Sequence, residues 1–195
     1  MTKTVEFYYD YGSPTAYLAW TQLPDICAKH GATLIYKPIL LGGLFKATGN
    51  QSPVTVEAKG KWLFDDITRY AKHYDVPFAL NPHFIVNTMP AMRGAMWAEA
   101  NGVLETYNAA MYRAMWVDAK NIAEPDVITQ VLTAAGLDAA AMGEAIQQPE
   151  IKQALIASTE AAANRGLFGA PSMIVDDQVH FGQDRLEWVE RALAA

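Results

Sequence analysis

Two periods of apolar positions alternate along this chain. Val5-Glu6-Phe7-Tyr8-Tyr9 is a short aromatic and β-branched run that reads as a strand. It leads through Asp10-Tyr11-Gly12-Ser13 straight into a helix over Thr15–His30, with Pro14 suited to the first helical position. Gly31 stops that helix and Thr33–Pro38 reads as a second strand, so the opening is a βαβ unit, normally a right-handed parallel crossover. At the far end, Ser172–Val175 and Gln178–Phe181 flank Asp176-Asp177 as a hairpin, and Leu186–Ala195 makes a final helix. Between these ends the period is helical, over Val56–His73, Pro90–Ala100, Leu104–Met115, Asp126–Ala135, Ala139–Gln147 and Glu150–Asn164, with prolines and glycines as punctuation. Leu104, Tyr107, Met111 and Met115 recur at spacings of three and four, as do Met92, Met96 and Ala100, a stripe that reads as helix-bundle core. No repeat, low-complexity tract or flexible linker divides the chain. The organisation is α/β: residues 1–45 and 166–195 supply a βαβ half and a ββα half, and residues 46–165 form an inserted helical domain within one compact unit.

Composition narrows the function classes. Of 195 residues 51% are hydrophobic and 18% charged, enough for a substantial core. A net charge of −6 without a basic run argues against nucleic acid as a partner. No stretch is long and apolar enough for a membrane span, and Met1-Thr2-Lys3-Thr4 runs into the first strand rather than a signal peptide. Cys27 is the only cysteine, so no internal disulfide forms and a cytoplasmic, reducing location is expected. Set within the first helix, Cys27 reads as a small core residue rather than a catalytic one.

Three segments carry candidate chemistry. Ser13 stands where the first strand meets the first helix, and Ser13-Pro14 is a natural N-cap. A group held at that corner faces unpaired N–H donors and the positive end of the helix dipole, which favours an anion. Thioredoxin-like proteins place the first cysteine of a C-x-x-C motif at such a corner. Here the four residues are Ser13-Pro14-Thr15-Ala16, so a reactive thiol would have to come from outside. In the second segment, Gly166-Leu167-Phe168-Gly169-Ala170-Pro171-Ser172, either a cis Ala170–Pro171 bond or an ordinary trans-proline edge turn fits. A cis bend would leave the N–H and C=O of Ala170 free to hold an extended peptide. The third segment is Phe181-Gly182-Gln183-Asp184-Arg185-Leu186, where Gln183 and Asp184 suit either helix capping or an amino-acid head group.

In order and spacing these segments resemble the 2-hydroxychromene-2-carboxylate isomerases, relatives of kappa-class glutathione transferases in the DsbA-like thioredoxin superfamily. The resemblance runs end to end. It rests on Asp10-x-x-Ser13-Pro14-x-x-Tyr17-Leu18-Ala19, then Leu40-Leu41-Gly42-Gly43-Leu44-Phe45-Lys46 with Gly49-Asn50, then Lys59-Gly60 and Asp66, and the second and third segments above. It implies a thioredoxin-like fold, a homodimer, and glutathione as cofactor. By the same implication Ser13 meets the glutathione sulfur, Asn50 and Lys59 contact the tripeptide, and Lys59 suits its glycyl carboxylate. The main chain of Ala170, before Pro171, would pair with the cysteinyl backbone, and Gln183 and Asp184 would hold the γ-glutamyl end. Residues matching Asp66 and Arg185 can act from across a dimer interface in kappa enzymes. One departure is His180-Phe181, where the family often carries an aromatic pair before its glycine.

The implied activity is isomerisation of an aromatic unsaturated keto acid by reversible thiolate addition, with Ser13 not the nucleophile. A transferase that consumes glutathione and a non-catalytic scaffold are the competing readings. None of His30, His73, His83 and His180 is tied to Ser13 by a hydrolase motif, and they are too scattered for a metal site. Gly42-Gly43 and Gly49 read as a glycine-containing loop without a phosphate-binding pattern. Arg93, Trp62, Trp97 and Trp116 could line an aromatic-acid pocket, with packing the default role for each.

Overall fold

The sheet is built on β1 (Thr4–Tyr9), whose alternate side chains enter two separate apolar clusters. A computed structural model describes residues 2–195, and among these β1 pairs in parallel with β2 (Thr33–Pro38) and antiparallel with β3 (Ser172–Val175). β4 (Gln178–Phe181) closes the order β2-β1-β3-β4. The parallel pair is joined by α1 (Pro14–Lys29), as the βαβ reading requires, and α9 (Leu186–Ala194) follows the hairpin. Asp176 and Asp177 both take positive φ, 47° and 65°, which is what a tight two-residue hairpin turn demands.

Between β2 and β3 run α2 (Leu41–Thr48), α3 (Glu57–His73), α4 (Met89–Ala100), α5 (Leu104–Trp116), α6 (Pro125–Ala134), α7 (Ala139–Ala145) and α8 (Pro149–Asn164). Among the described residues none of the helices is long and apolar enough to cross a membrane. The larger cluster joins Val5, Phe7 and Tyr9 to α1, α9 and the buried faces of α4, α5 and α6. The smaller one packs Tyr8 and Ile174 against Leu44 and Ala162, so α2 and α8 cover the other face of the sheet.

Two expectations are corrected. The segment read as a glycine loop is the helix α2, ended by Gly49 in the left-handed conformation at φ 70°. Two glycines in its first turn hide its helical propensity, while the tertiary anchors that fix it, buried Leu44 and the amide of Leu41, leave no local pattern. On α4 the expected stripe through Ala100 is displaced: Ala100 is exposed, and Ala91, Met92, Gly94, Ala95, Trp97 and Ala98 are buried. Gly94 explains the shift, since a Cβ there would lie 2.0 Å from the Tyr107 hydroxyl; α4 and α5 meet at that glycine.

Trp116 and Trp97 are core residues. Fully buried Trp116 stacks on Phe78 and donates its Nε1–H to the Tyr11 carbonyl at 2.7 Å, pinning the turn between β1 and α1. Trp116→Phe keeps most of the apolar volume but leaves that carbonyl unpaired. It should lower unfolding free energy by about 1–3 kcal/mol in urea titrations. A loss below about 0.5 kcal/mol, the range of inert surface changes, would show that Trp116 does not anchor the turn.

Candidate active site

The turn after β1 is fixed from several sides. Asp10, 1% exposed, accepts from the Gly12 N–H through Oδ1 and from the Leu41 N–H through Oδ2, each at 2.8 Å. One carboxylate thus shapes the turn and caps the start of α2, where negative charge is favoured by the helix dipole. The Ser13 N–H donates to the Asp10 carbonyl at 3.0 Å, and a Cβ on Gly12 would lie 3.1 Å from the Thr88 methyl, so the turn has no slack. Asp10-x-x-Ser13 is legible as a motif, but the positioning role of Asp10 leaves no full local signal, because its second partner, Leu41, lies 31 positions away.

Ser13 is the N-cap of α1 as expected: its Oγ accepts from the Ala16 N–H at 3.1 Å, with Pro14 at the first helical position. The same Oγ donates to the Ala170 carbonyl at 2.9 Å, and the Thr15 hydroxyl lies 3.1 Å away. The Thr15 N–H has no partner among the described residues, and Thr15 borders the cleft, so the helix start keeps one unpaired donor beside it.

Opposite stands the Ala170–Pro171 bond, which is cis. The Ala170 N–H has no partner among the described residues, as the bend predicts. Its carbonyl, expected to be free, is instead engaged by Ser13, because the helix start is brought directly against it. Pro171 is buried behind this edge and its carbonyl accepts from the Gly182 N–H at 3.0 Å. Asn50 donates through Nδ2 to the Phe168 carbonyl at 2.8 Å, tying the end of α2 to the segment before the proline. The rings of Phe168 and Phe181 pack at 4.6 Å, over Gly169, where a Cβ would lie 2.7 Å from Phe181.

Gln183 and Asp184 do not cap α9; they form a short 3-10 turn ahead of it, and Arg185 holds the cap position without a side-chain cap bond. Gln183 is buried and its Oε1 meets the Tyr74 hydroxyl at 2.8 Å. Exposed Asp184 pairs with Arg185, its carboxylate curling over Gly182 at φ 97°.

These parts surround a cleft of about 280 Å³. Ser13, Asn50, Asp66, Ala170, Gln183 and Asp184 all border it. Lys59 lies in an adjoining groove that shares Asn50 and Phe181 with the cleft, and Arg185 borders neither. One wall is apolar: Leu41, Phe45, Leu63 and Phe84 line it together with Trp62, which is 59% exposed. Of the four side chains considered for an aromatic pocket, Trp62 alone is in this cleft; Arg93 lies in a groove on the far side of α2. The wall residues other than Trp62 were missed as a lining, since an apolar side chain facing a cleft has the same sequence signature as one facing a core.

Residues 4–194 match the DSBA-like thioredoxin domain family. The chain belongs to this family. It is 33% identical over 195 residues to a 2-hydroxychromene-2-carboxylate isomerase of Sphingobium xenophagum, covering 99% of each chain. Glutathione S-transferase kappa 1 of Homo sapiens is 30% identical over 207 residues, covering 99% of this chain and 92% of the relative. A solved structure of 2-hydroxychromene-2-carboxylate isomerase superposes with a TM-score of 0.88 at 27% identity, covering 98% of this chain and 94% of that one. The thioredoxin-like fold and the family read from the motifs are thereby borne out.

DsbA-like frames are associated with thiol chemistry, and this chain brings no thiol to the corner. Cys27 is buried on α1 and burial pushes its thiol up to about 11, so it is not a thiolate at neutral pH. Burial also raises the Asp10 carboxyl above its ordinary 3.8, opposed by hydrogen bonds from Gly12, Leu41 and Thr88. A raised folded-state pKa gives a contribution to stability that is full below the unfolded value and is lost as pH rises through the folded one. Asp10→Asn removes this dependence. As pH rises above the ordinary carboxylate value of about 4, the parent should therefore lose stability relative to the variant, read as converging or crossing urea midpoints. A difference independent of pH would contradict the assignment.

Proposed function

We propose that this protein is a glutathione-dependent isomerase of 2-hydroxychromene-2-carboxylate and trans-o-hydroxybenzylidenepyruvate, or of a related aromatic unsaturated keto acid. The observation that carries the reading is the thiol-free corner. Ser13 caps a helix start against Ala170, beside an apolar wall, in a chain whose single cysteine is buried elsewhere. The free N–H of Ala170 and the 280 Å³ cleft fit an extended thiol peptide, so the residues suit glutathione.

In this reading the Ala170 main chain aligns the tripeptide, Asn50 and Lys59 contact it with Lys59 at the glycyl carboxylate, and Gln183 and Asp184 meet the γ-glutamyl end. Asp184 supplies the negative charge that an ammonium requires, with Arg185 holding that carboxylate in place. Ser13 Oγ–H turns from the Ala170 carbonyl toward the sulfur, and the Thr15 N–H and helix dipole favour its anionic form. When bound, glutathione supplies a thiolate that adds reversibly to the conjugated C=C bond, makes it a rotatable single bond, and is released unchanged. Trp62, Phe45 and Phe84 shelter the aromatic ring. Exposed apolar side chains at and near the rim, Trp62, Val56, Phe168 and Phe181, support a homodimer in which Asp66 and Arg185 lie near the partner. A cytoplasmic setting would supply both the reducing conditions and the cofactor.

The kinship with kappa transferases favours a second reading in which the same cleft consumes glutathione in a conjugate. Spectrophotometric interconversion of the two keto-acid isomers, with catalytic glutathione and a thiol count at the end, separates them. The proposal expects equilibration only with glutathione and no thiol lost; stoichiometric loss selects the transferase, and no acceleration rejects the isomerase. Ser13→Ala should lower turnover about 10-fold to 1,000-fold, the range for losing one donor at a developing charge. Full activity in that variant would remove Ser13 from the mechanism.

A further inference from the structure

On the far side of α2 from the Ser13 cleft lies a groove of about 440 Å³, larger than the cleft itself and bounded by α2, α4 and α8. Its volume lies in the range of about 300–1,000 Å³ usual for small-ligand sites. The floor is aliphatic, made by Leu40, Met89, Leu155 and Ile156. Ile156 is 48% exposed, an apolar side chain turned outward on a helix with polar neighbours. Gly43 sits on the α2 side without a side chain, where a Cβ would lie 3.3 Å from the Thr159 methyl, so no side chain of α2 fills the space there.

The rim has the opposite character. Lys46, Arg93 and Lys152 border the groove against a single carboxylate, Glu160. The chain carries 21 acidic and 15 basic residues, and elsewhere Arg165, Arg185 and Arg191 each pair with a carboxylate. Among the described residues, none of the three rim cations has an ion-pair partner, and the Arg93 guanidinium makes no hydrogen bond. Arg93 and Lys152 are half-buried, with their stems along the groove and no carboxylate paired to either charge. The neighbouring polar group is already used: the Thr159 hydroxyl donates to the Leu155 carbonyl and accepts from the Leu40 N–H.

We propose that this groove is a second binding site, for a small amphipathic carboxylate whose apolar body covers Leu155 and Ile156 and whose head group is held by Arg93 with Lys46 and Lys152. A planar guanidinium pairs with a carboxylate through two parallel hydrogen bonds, and Met89 adapts to the shape of the body. One anionic head and an apolar body answer the groove's charge and its lining together. The site shares α2 with the Ser13 cleft but none of its lining residues, and it stands whether or not the cleft binds glutathione.

The test uses octanoate as probe and octanol as its uncharged match, titrated into the full chain by calorimetry and by methyl NMR. Octanoate should bind saturably at one site per chain and shift the Leu155 and Ile156 methyl signals, with octanol at least about tenfold weaker. Arg93→Met should weaken octanoate about tenfold and leave octanol unchanged. Ile156→Asn should weaken both, and glutathione titrations should be the same in each variant. Absent saturation, equal affinity for the two probes, or methyl shifts confined to other regions would overturn the proposal in the parent protein, independent of variant folding. Dissociation of an oligomer by Ile156→Asn, seen by sedimentation without octanoate binding, would instead mark the groove as a face between copies and also overturn it.

Discussion

The hydrogen bond from the Ser13 hydroxyl to the Ala170 carbonyl joins residues 157 positions apart and ties the end of β1 to the approach to β3, where the two halves of the sheet meet. Around it the first helix begins, the proline edge turns, and the cleft opens. The bond is available because Asp10 holds the preceding turn while Trp116 holds the Tyr11 carbonyl. Three contacts bear on this turn from the helices: the Leu41 N–H at the start of α2 bonds Asp10, Trp116 at the end of α5 bonds Tyr11, and Thr88, just before α4, closes on Gly12.

The electrostatics of the corner follow from what it lacks. A thiol on this helix start would be stabilised as a thiolate by its own protein. Here the same donors face a serine, which stays neutral, and under the proposed function the anion-favouring environment serves the thiolate of a bound group. The apolar wall alongside raises the strength of any charge interaction in the cleft by keeping water away from one side. The buried cysteine does not compete, since its thiol holds its proton at neutral pH.

Much of this was legible because local signals and tertiary outcome agreed. The strand, cap, proline and helix of the opening, and the hairpin with its two aspartates, are short-range patterns that survive folding unchanged. Gly43 and Gly94 show where legibility ends. Each is a poor helix former by propensity, and each sits inside a helix against a neighbouring element: Gly43 against Thr159, Gly94 against Tyr107. The free carbonyl expected at Ala170 failed for a related reason, since a bend predicts an open group but not the hydroxyl that a distant helix brings to it. The apolar wall of the cleft was unreadable because burial in a core and exposure to a ligand select the same side chains.

Under the proposed function this corner stabilises a thiolate that the chain does not itself carry. The most direct measurement is the pKa of the glutathione thiol in complex with the protein, followed by ultraviolet thiolate absorbance across a pH series and compared with the free tripeptide. The account predicts a bound value clearly below the free-thiol value of about 8.5, and a shift back toward it in Ser13→Ala. A bound pKa at or above the free value would contradict it.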